Sequence, residues 1–384
     1  MVKRILAVLC LAALAMGCVA CGNNPEPAPA STTASTTTAA PTTVPKGHVR
    51  YINPNPAMQE AWEGIAADFF AKTGIPVTII PAAEASGITP TLFTVDDEVQ
   101  LAEVAEICLD LAGVNATRHL VNWDMTLYEG NKMCGLPLEI EGYGLIYNDE
   151  LLRKVGITAA DITSFAKLTE VVNNIAANTS LKFEPFACVD INSAAISLLG
   201  TMGGDIRPFW DLYTTNTACK NITADDDGPT EEIAGGEAVF CIGSTKEFEM
   251  LSVMSEGNLN IMPLYIGMEG EQNRGLCVRV ENYLCVRSDV AQIDIDATLE
   301  FLDYLTHHEN SGIPLDKLEI LTPYAKASYA ASPLEKTLRA QIAAASTMLV
   351  FSQVAEPEGL ADALLTYTAD PTDENWALVS EILG

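Results

Sequence analysis

Basic residues are scarce in this chain of 384 residues: 21 Lys and Arg stand against 51 Asp and Glu, a formal net charge of −30. A field of that sign repels nucleic acid and anionic membrane surfaces and favours cationic ligands, so no direct contact with either polyanion is expected. Histidine is scarcer still, with His48, His119, His307 and His308 making up the 4 in the chain. None stands beside a Gly-x-Ser-x-Gly elbow or an evident cysteine partner, which leaves nucleophilic catalysis without footing. His307 and His308 close a predicted helix, where a cationic ring suits the helix dipole. His-Glu-x-x-His, a phosphate-cradling glycine loop and Gly-x-Gly-x-x-Gly after a strand are all missing. Asp225, Asp226 and Asp227 lack the spacing and closing Glu of an EF-hand and read as a solvated loop. We therefore expect no enzyme, no cofactor and no metal site. Paired carboxylates do occur, but their separation in space is not readable from sequence.

Long apolar runs are also missing after the first residues. Lys3 and Arg4 precede an apolar run over residues 5–16 that is too short for a comfortable membrane span. Residues 1–17 therefore read as a signal peptide. Leu14-Ala15-Met16-Gly17-Cys18 resembles the lipobox of bacterial lipoproteins, which implies acylation at Cys18, with Cys21 as the competing site. Residues 18–47 are Pro, Ala, Ser and Thr with almost nothing bulky and apolar, the composition of a disordered tether. The expected location is the extracellular face of the cell membrane, held by a lipid anchor only. Seven further cysteines are Cys108, Cys134, Cys188, Cys219, Cys241, Cys277 and Cys285. Their number is odd and their spacing matches no short metal motif. Residues 276–286 read as a hairpin centred on Glu281-Asn282, which makes Cys277 and Cys285 a candidate cross-strand disulfide. For the others, a buried thiol is the plain expectation.

With 48% hydrophobic residues the chain is long enough for two globular domains. Val49 to Ile52 reads as a strand, residues 57–73 as an amphipathic helix stopped by Gly74, and residues 77–80 and 92–95 as further strands. Strand, helix, strand and a helix-like segment over 99–111 form βαβ grammar, hence a parallel sheet. Residues 136–151 attract most attention. Leu138, Ile140 and Gly142 alternate with Glu139, Glu141 and Tyr143, and two carboxylates on one strand face oppose strand preferences. Gly142 and Gly144 clear space around Tyr143 for backbone or ligand. The run turns apolar and breaks at Asn148-Asp149, which reads as a helix cap. Such a strand fits a wet cleft wall between lobes, or a solvated edge strand. Helices are predicted at 151–160, 165–177, 193–199, 209–213 and 291–306, strands at 183–189, 238–242 and 261–266, and mostly helix over 322–383.

From about His48 onward the chain resembles the family 1 extracellular solute-binding proteins of bacterial ABC importers, the maltose-binding-protein-like group. The residues carrying the likeness run in order: Phe69-Phe70-Ala71-Lys72-Thr73-Gly74, Pro90-Thr91-Leu92-Phe93, Gly135-Leu136-Pro137, and Glu141-Gly142-Tyr143-Gly144-Leu145-Ile146-Tyr147-Asn148. They continue through Gly236-Glu237-Ala238-Val239-Phe240, Met262-Pro263-Leu264-Tyr265 and Glu281-Asn282-Tyr283. The resemblance implies an α/β, two-lobed periplasmic-binding-protein-like (type II) fold with a hinge and an interlobe cleft. It assigns 48–138 and 266–306 to the N-lobe and 139–265 and 307–384 to the C-lobe. It implies a small-molecule solute, carbohydrate by family default, delivered to ABC transporter permease subunits. Glu141 matches a position where family members hydrogen-bond sugar hydroxyls, and Tyr143 is a hinge or cleft residue. Asp96, Asp97 and Glu98, where relatives carry neutral residues, point to a cationic solute. Thr245 stands where relatives place a stacking Trp; with Trp62 it completes the ligand-binding set. The alternative is a binding-protein fold that has lost its ligand and serves as a surface sensor or interaction protein.

Overall fold

The computed structural model describes residues 45–188, 191–199, 204–217, 228–255, 257–307, 312–344, 349–350 and 359–383. Residues 1–44 are not among them, so the expected signal peptide, Cys18, Cys21 and most of the tether lie outside the described residues. So do Asp225, Asp226, Asp227, Cys219 and His308.

In chain order the strands are β1 (Val49–Asn53), β2 (Val77–Pro81), β3 (Leu92–Val95), β4 (Leu127–Glu129) and β5 (Lys132–Asn148). They continue with β6 (Glu184–Phe186), β7 (Ala238–Ser244), β8 (Leu259–Met262), β9 (Cys277–Val286) and β10 (Leu349–Val350). All belong to one sheet whose main path is β2-β1-β3-β9-β5-β7-β6. The βαβ expectation holds at its edge, where β1 pairs in parallel with β2 and β3. Beyond β3 the sheet turns mixed, because β9 is antiparallel to both β3 and β5, and β7 antiparallel to β5.

The first helix, Gln59–Thr73, buries Trp62, Ile65, Ala66 and Phe69, one stripe at helical spacing. Each large apolar side chain so buried contributes about 1.5–3 kcal/mol. Gly74 ends the helix in the left-handed conformation (φ 67°), where its N–H reaches Phe70 O. This face joins Phe301, Leu302 and Leu305 of the helix Gln292–Thr306 in one core. Ile313, Leu315, Leu318, Ile320 and Tyr324 pack there too, although they follow the expected return to the C-lobe at 307. A second core gathers Phe186, Phe209, Trp210, Tyr213 and Phe240 with the C-terminal helices. A third apolar cluster runs between them along β5, β7 and β9.

β5 is not the edge strand that solvated glutamates would suit. It runs 17 residues through the centre of the sheet, pairing with β9 over 135–143 and with β7 and β8 over 143–148. Its register shifts around Glu139. Its two glycines serve packing: a Cβ at Gly144 would lie 2.4 Å from Met262 O, and one at Gly142 2.9 Å from a Leu338 methyl carbon. The strand ends as expected, with the Asn148 side chain accepting from Leu151 N at 3.1 Å to cap the helix Asp149–Lys154.

The predicted hairpin at 276–286 is instead the single strand β9. Long-range pairing to β3 and β5 on its two sides overrides the local turn signal of Glu281-Asn282. Cys277 and Cys285 therefore lie eight residues apart on one extended strand, roughly 27 Å at the rise of a strand. No disulfide joins them. Cys188, expected as a buried thiol, is disulfide-bonded.

Candidate functional site

β5 and β9 carry their polar residues where they cross between the two cores. Antiparallel register sets Glu139 opposite Asn282, Glu141 opposite Arg279 and Tyr143 opposite Cys277. Tyr143 Oη donates to Glu141 Oε2 at 3.0 Å, with both residues buried. Lys246, just after β7, donates to Glu139 Oε1 at 3.2 Å, and Asn282 Nδ2 approaches Glu139 Oε2 at 3.5 Å. Thr245 turns its side chain onto the crossing strand: its Oγ1 accepts from Gly142 N at 3.1 Å, and its N–H donates to Gly142 O at 2.8 Å. Opposite the crossing, Ile140 N donates to Leu321 O at 2.9 Å, which brings residues 319–321 alongside.

These segments enclose a groove of about 170 Å³. Asn55 and Met58 from the start of the first helix, Glu139 and Ile140 from β5, and Thr245, Lys246 and Glu249 line it with Glu319, Ile320, Leu321 and Glu335. Four carboxylates therefore share the groove with one lysine. Glu335 is engaged, accepting from Ala331 N and Ser332 N at 2.7 and 2.8 Å. Glu319 is held at φ 57°, the only non-glycine residue at positive φ among the described residues. A side chain in that conformation is strained, and such strain gathers at functional sites.

The electrostatics of the crossing follow from its burial. Burial first, then the neighbouring Glu141, pushes the Glu281 carboxyl up to about 7 against the pull of Arg279 and Lys246. For Lys246, burial works against the ammonium, but Glu139, Glu141 and Glu281 outweigh it and hold its pKa above the usual value. Burial, reinforced by Glu141 and Glu281, raises the Tyr143 phenol well above its ordinary range, so it stays a donor at neutral pH. Arg279 Nε and Glu281 Oε1 stand 3.8 Å apart, too far for a hydrogen bond. Both atoms are buried without a hydrogen-bond partner, as is Asn282 Oδ1. Arg279, Glu281 and Asn282 of β9 thus retain unused donor and acceptor capacity.

Of the sequence candidates, Glu141, Tyr143 and Thr245 come together here. Asp96, Asp97 and Glu98 sit at the end of β3, where Val95 pairs with Tyr283, and Glu98 is near enough to act on the Tyr283 phenol. They are engaged locally: Asp97 caps the helix Glu98–Val104 by accepting from Gln100 N, and Asp96 accepts from Gln100 Nε2. Trp62 is a correction. It is fully buried, its ring 4.7 Å from that of Tyr51 in the first core, because its place in the apolar stripe of its helix turns it away from the groove. The ligand-binding candidates did not include Glu139, Lys246, Arg279, Glu281, Asn282, Glu249, Glu319 and Glu335. Only the Glu139/Glu141 alternation carried a local signal for any of them. Among the described residues no cluster of His, Cys, Asp or Glu fits a metal ion.

No known family pattern matches the chain, and no curated protein is similar to it in sequence. Solved structures are similar in fold. The bacterial solute receptor AcbH, described as exclusive for β-D-galactopyranose, superposes with a TM-score of 0.68 at 12% identity, over 88% of this chain and 98% of that one. RafE from Streptococcus pneumoniae gives 0.65 at 14% identity, over 88% and 96%. The cyclic α-maltosyl-1,6-maltose binding protein from Arthrobacter globiformis gives 0.63 at 14%, over 88% and 99%. The protein has the two-lobed α/β fold of bacterial solute-binding proteins.

Proposed function

We propose that this protein is a solute receptor that binds a small carbohydrate at the β5–β9 crossing and delivers it to the permease of an ABC importer. The observation that carries the reading is the set of unused buried hydrogen-bonding atoms on Arg279, Glu281 and Asn282 of β9, where Asn282 approaches Glu139, a residue that lines the groove. A sugar hydroxyl both donates and accepts, so one polyol can pair with a guanidinium, a carboxyl and an amide at once. The neighbours named as sugar receptors support the carbohydrate class. On this reading the protein acts by binding, without chemistry of its own. Acylation at Cys18 and a flexible tether would hold it at the extracellular face of the cell membrane.

A second reading is an amine-bearing solute, favoured by Glu139, Glu249, Glu319 and Glu335 facing a single Lys246 across the groove. A thermal-shift screen of the full chain against mono- and oligosaccharides, amino sugars and polyamines separates the two. A ligand binding only the folded state at a hundred times its Kd adds about 2.7 kcal/mol, a rise of several degrees in Tm. A neutral sugar that stabilises supports the first reading, and stabilisation confined to amines moves the assignment to the second. Silence from every class overturns both in favour of a ligand-free interaction protein.

A further inference from the structure

Glu281 occupies an irregular point of the sheet. On β5, Glu139 pairs with Asn282 and the next residue, Ile140, pairs with Val280, so Glu281 has no partner across that ladder. β3 pairs with β9 only over 283–286 and leaves Glu281 open on the other side as well. An extra residue of this kind is a β-bulge, a device that re-aims a side chain and recurs beside active sites. The Arg279 and Glu281 side chains are 22% and 24% exposed, so a ligand can reach them. Glu281 Oε1 itself is buried without a hydrogen-bond partner, and Arg279 Nε, equally unpartnered, stands 3.8 Å away. Charged and titratable groups face this carboxyl from each neighbouring element. β5 brings Glu139, Glu141 and Tyr143, β9 brings Arg279 and Tyr283, and Lys246 reaches in from just after β7. Tyr143 donates to Glu141 and Lys246 to Glu139, so the nearest donors are directed at the other two carboxylates.

We propose, resting on the reading of the crossing as a sugar site, that Glu281 couples binding to pH: a neutral sugar is held with this carboxyl protonated, its O–H donated to a sugar oxygen. A protonated carboxyl is the form that offers a donor, whereas a carboxylate only accepts. Burial first, and then Glu141, already push the Glu281 carboxyl up to about 7, against Arg279 and Lys246. A neutral ligand expels water from the site and adds no charge, which disfavours ionisation further. Binding therefore draws a proton from solvent wherever Glu281 was ionised beforehand, and affinity falls as pH rises through about 7. An amine would act in the opposite sense, because its charge stabilises the carboxylate and its affinity would rise with pH. One bulge residue thus makes the pH profile a report of the ligand's charge.

The test is calorimetric titration of the full chain with D-galactose and with raffinose at about pH 6 and about pH 8, in buffers of different ionisation enthalpy. The expected result is binding about tenfold weaker at the higher pH, with about one proton taken up there per sugar bound. Glu281→Gln, whose amide donates at either pH, flattens the profile and abolishes the uptake. Equal affinity at both pH values, affinity that rises with pH, or a profile that survives in the Gln variant overturns the proposal and leaves the sugar site standing. Absence of binding by both sugars at both pH values overturns the reading of the site, and this proposal with it. A second measurement needs neither ligand nor variant. Carbon-detected NMR of the free chain, labelled at its glutamate carboxyls, should show a carboxyl titrating near 7. If every carboxyl titrates in the ordinary carboxylate range, the proposal is overturned whatever the sugars do.

Discussion

The aromatic core around Phe186, Trp210 and Tyr213 and the β5–β9 crossing are both buried, yet their polar groups fare differently. In the core, Phe186 stacks on Tyr213 with ring centroids 4.4 Å apart, and Trp210 lies nearly parallel to Tyr213 at 6.1 Å. The polar tips of the two stacked rings are used: Trp210 Nε1 donates to Thr368 Oγ1 at 3.0 Å, and Tyr213 Oη to Ala187 O at 3.1 Å. At the crossing, Arg279, Glu281 and Asn282 leave buried atoms unpaired within a few residues of one another. Each unpaired atom costs about 1–3 kcal/mol, so a region selected for stability alone would not keep three together. Trp62 shows that one such atom is insufficient, since its Nε1 is also unpaired while it lies in the first core. What separates a site from a packing defect is the clustering of such atoms on one strand next to Glu139, which lines the groove together with the strained Glu319.

The largest effect that sharpens this contrast is Trp210→Ala. It opens a cavity against Tyr213 and removes the donor to Thr368, so a loss of about 3–5 kcal/mol is expected in urea unfolding. The change leaves the groove untouched, so ligand affinity per folded molecule should hold. A variant that keeps its stability would show the core to be looser than its ring contacts suggest. Glu281→Gln is expected to act in the opposite direction. The folded-state pKa of Glu281 is raised from 4.5 to about 7, so the folded chain binds this proton more tightly than the unfolded chain. Its contribution is fully present below the unfolded value and is lost as pH rises through about 7. Wild type should lose up to roughly 3 kcal/mol between pH 5 and 8 on this account, and the Gln variant should lack that slope and be the more stable at pH 8. Parallel pH profiles of unfolding would remove Glu281 from the argument.

Much of the local structure was legible. The stripe of Trp62, Ile65 and Phe69 before Gly74 specified its helix, residues 165–177 matched the helix Phe165–Ala177, and Asn148 capped where it was expected to. The Glu139/Glu141 alternation marked the strand that later proved central. Illegible features were those set by distant segments. Asn282 carries a turn signal, but pairing with Glu139 of β5 holds it in an extended strand. Lys246, Glu249, Glu319 and Glu335 come from separate elements and meet only after the sheet has formed. Spacing suggested Cys277 as a partner for Cys285, but both lie far apart on one extended strand and stay free thiols. Trp62 was misassigned although its periodicity already placed it on the buried face.

The smallest expected effect tests the rim itself. Glu319 follows the short 3-10 helix Pro314–Leu318 and ends it in the left-handed conformation, a position where glycine is ordinarily found. Glu319→Gly relieves the clash of Cβ with the backbone but frees the unfolded chain, so the net gain should be about 0.5–1 kcal/mol. It also removes one of the four groove carboxylates, and with it a neighbour that raises the pKa of Glu249. Higher stability together with weaker binding of the best ligand would place Glu319 with the crossing, as a residue kept at a cost for what it contacts. Lower stability would mean that its side chain contributes more through packing than its backbone loses through strain, and Glu319 would then belong with the core.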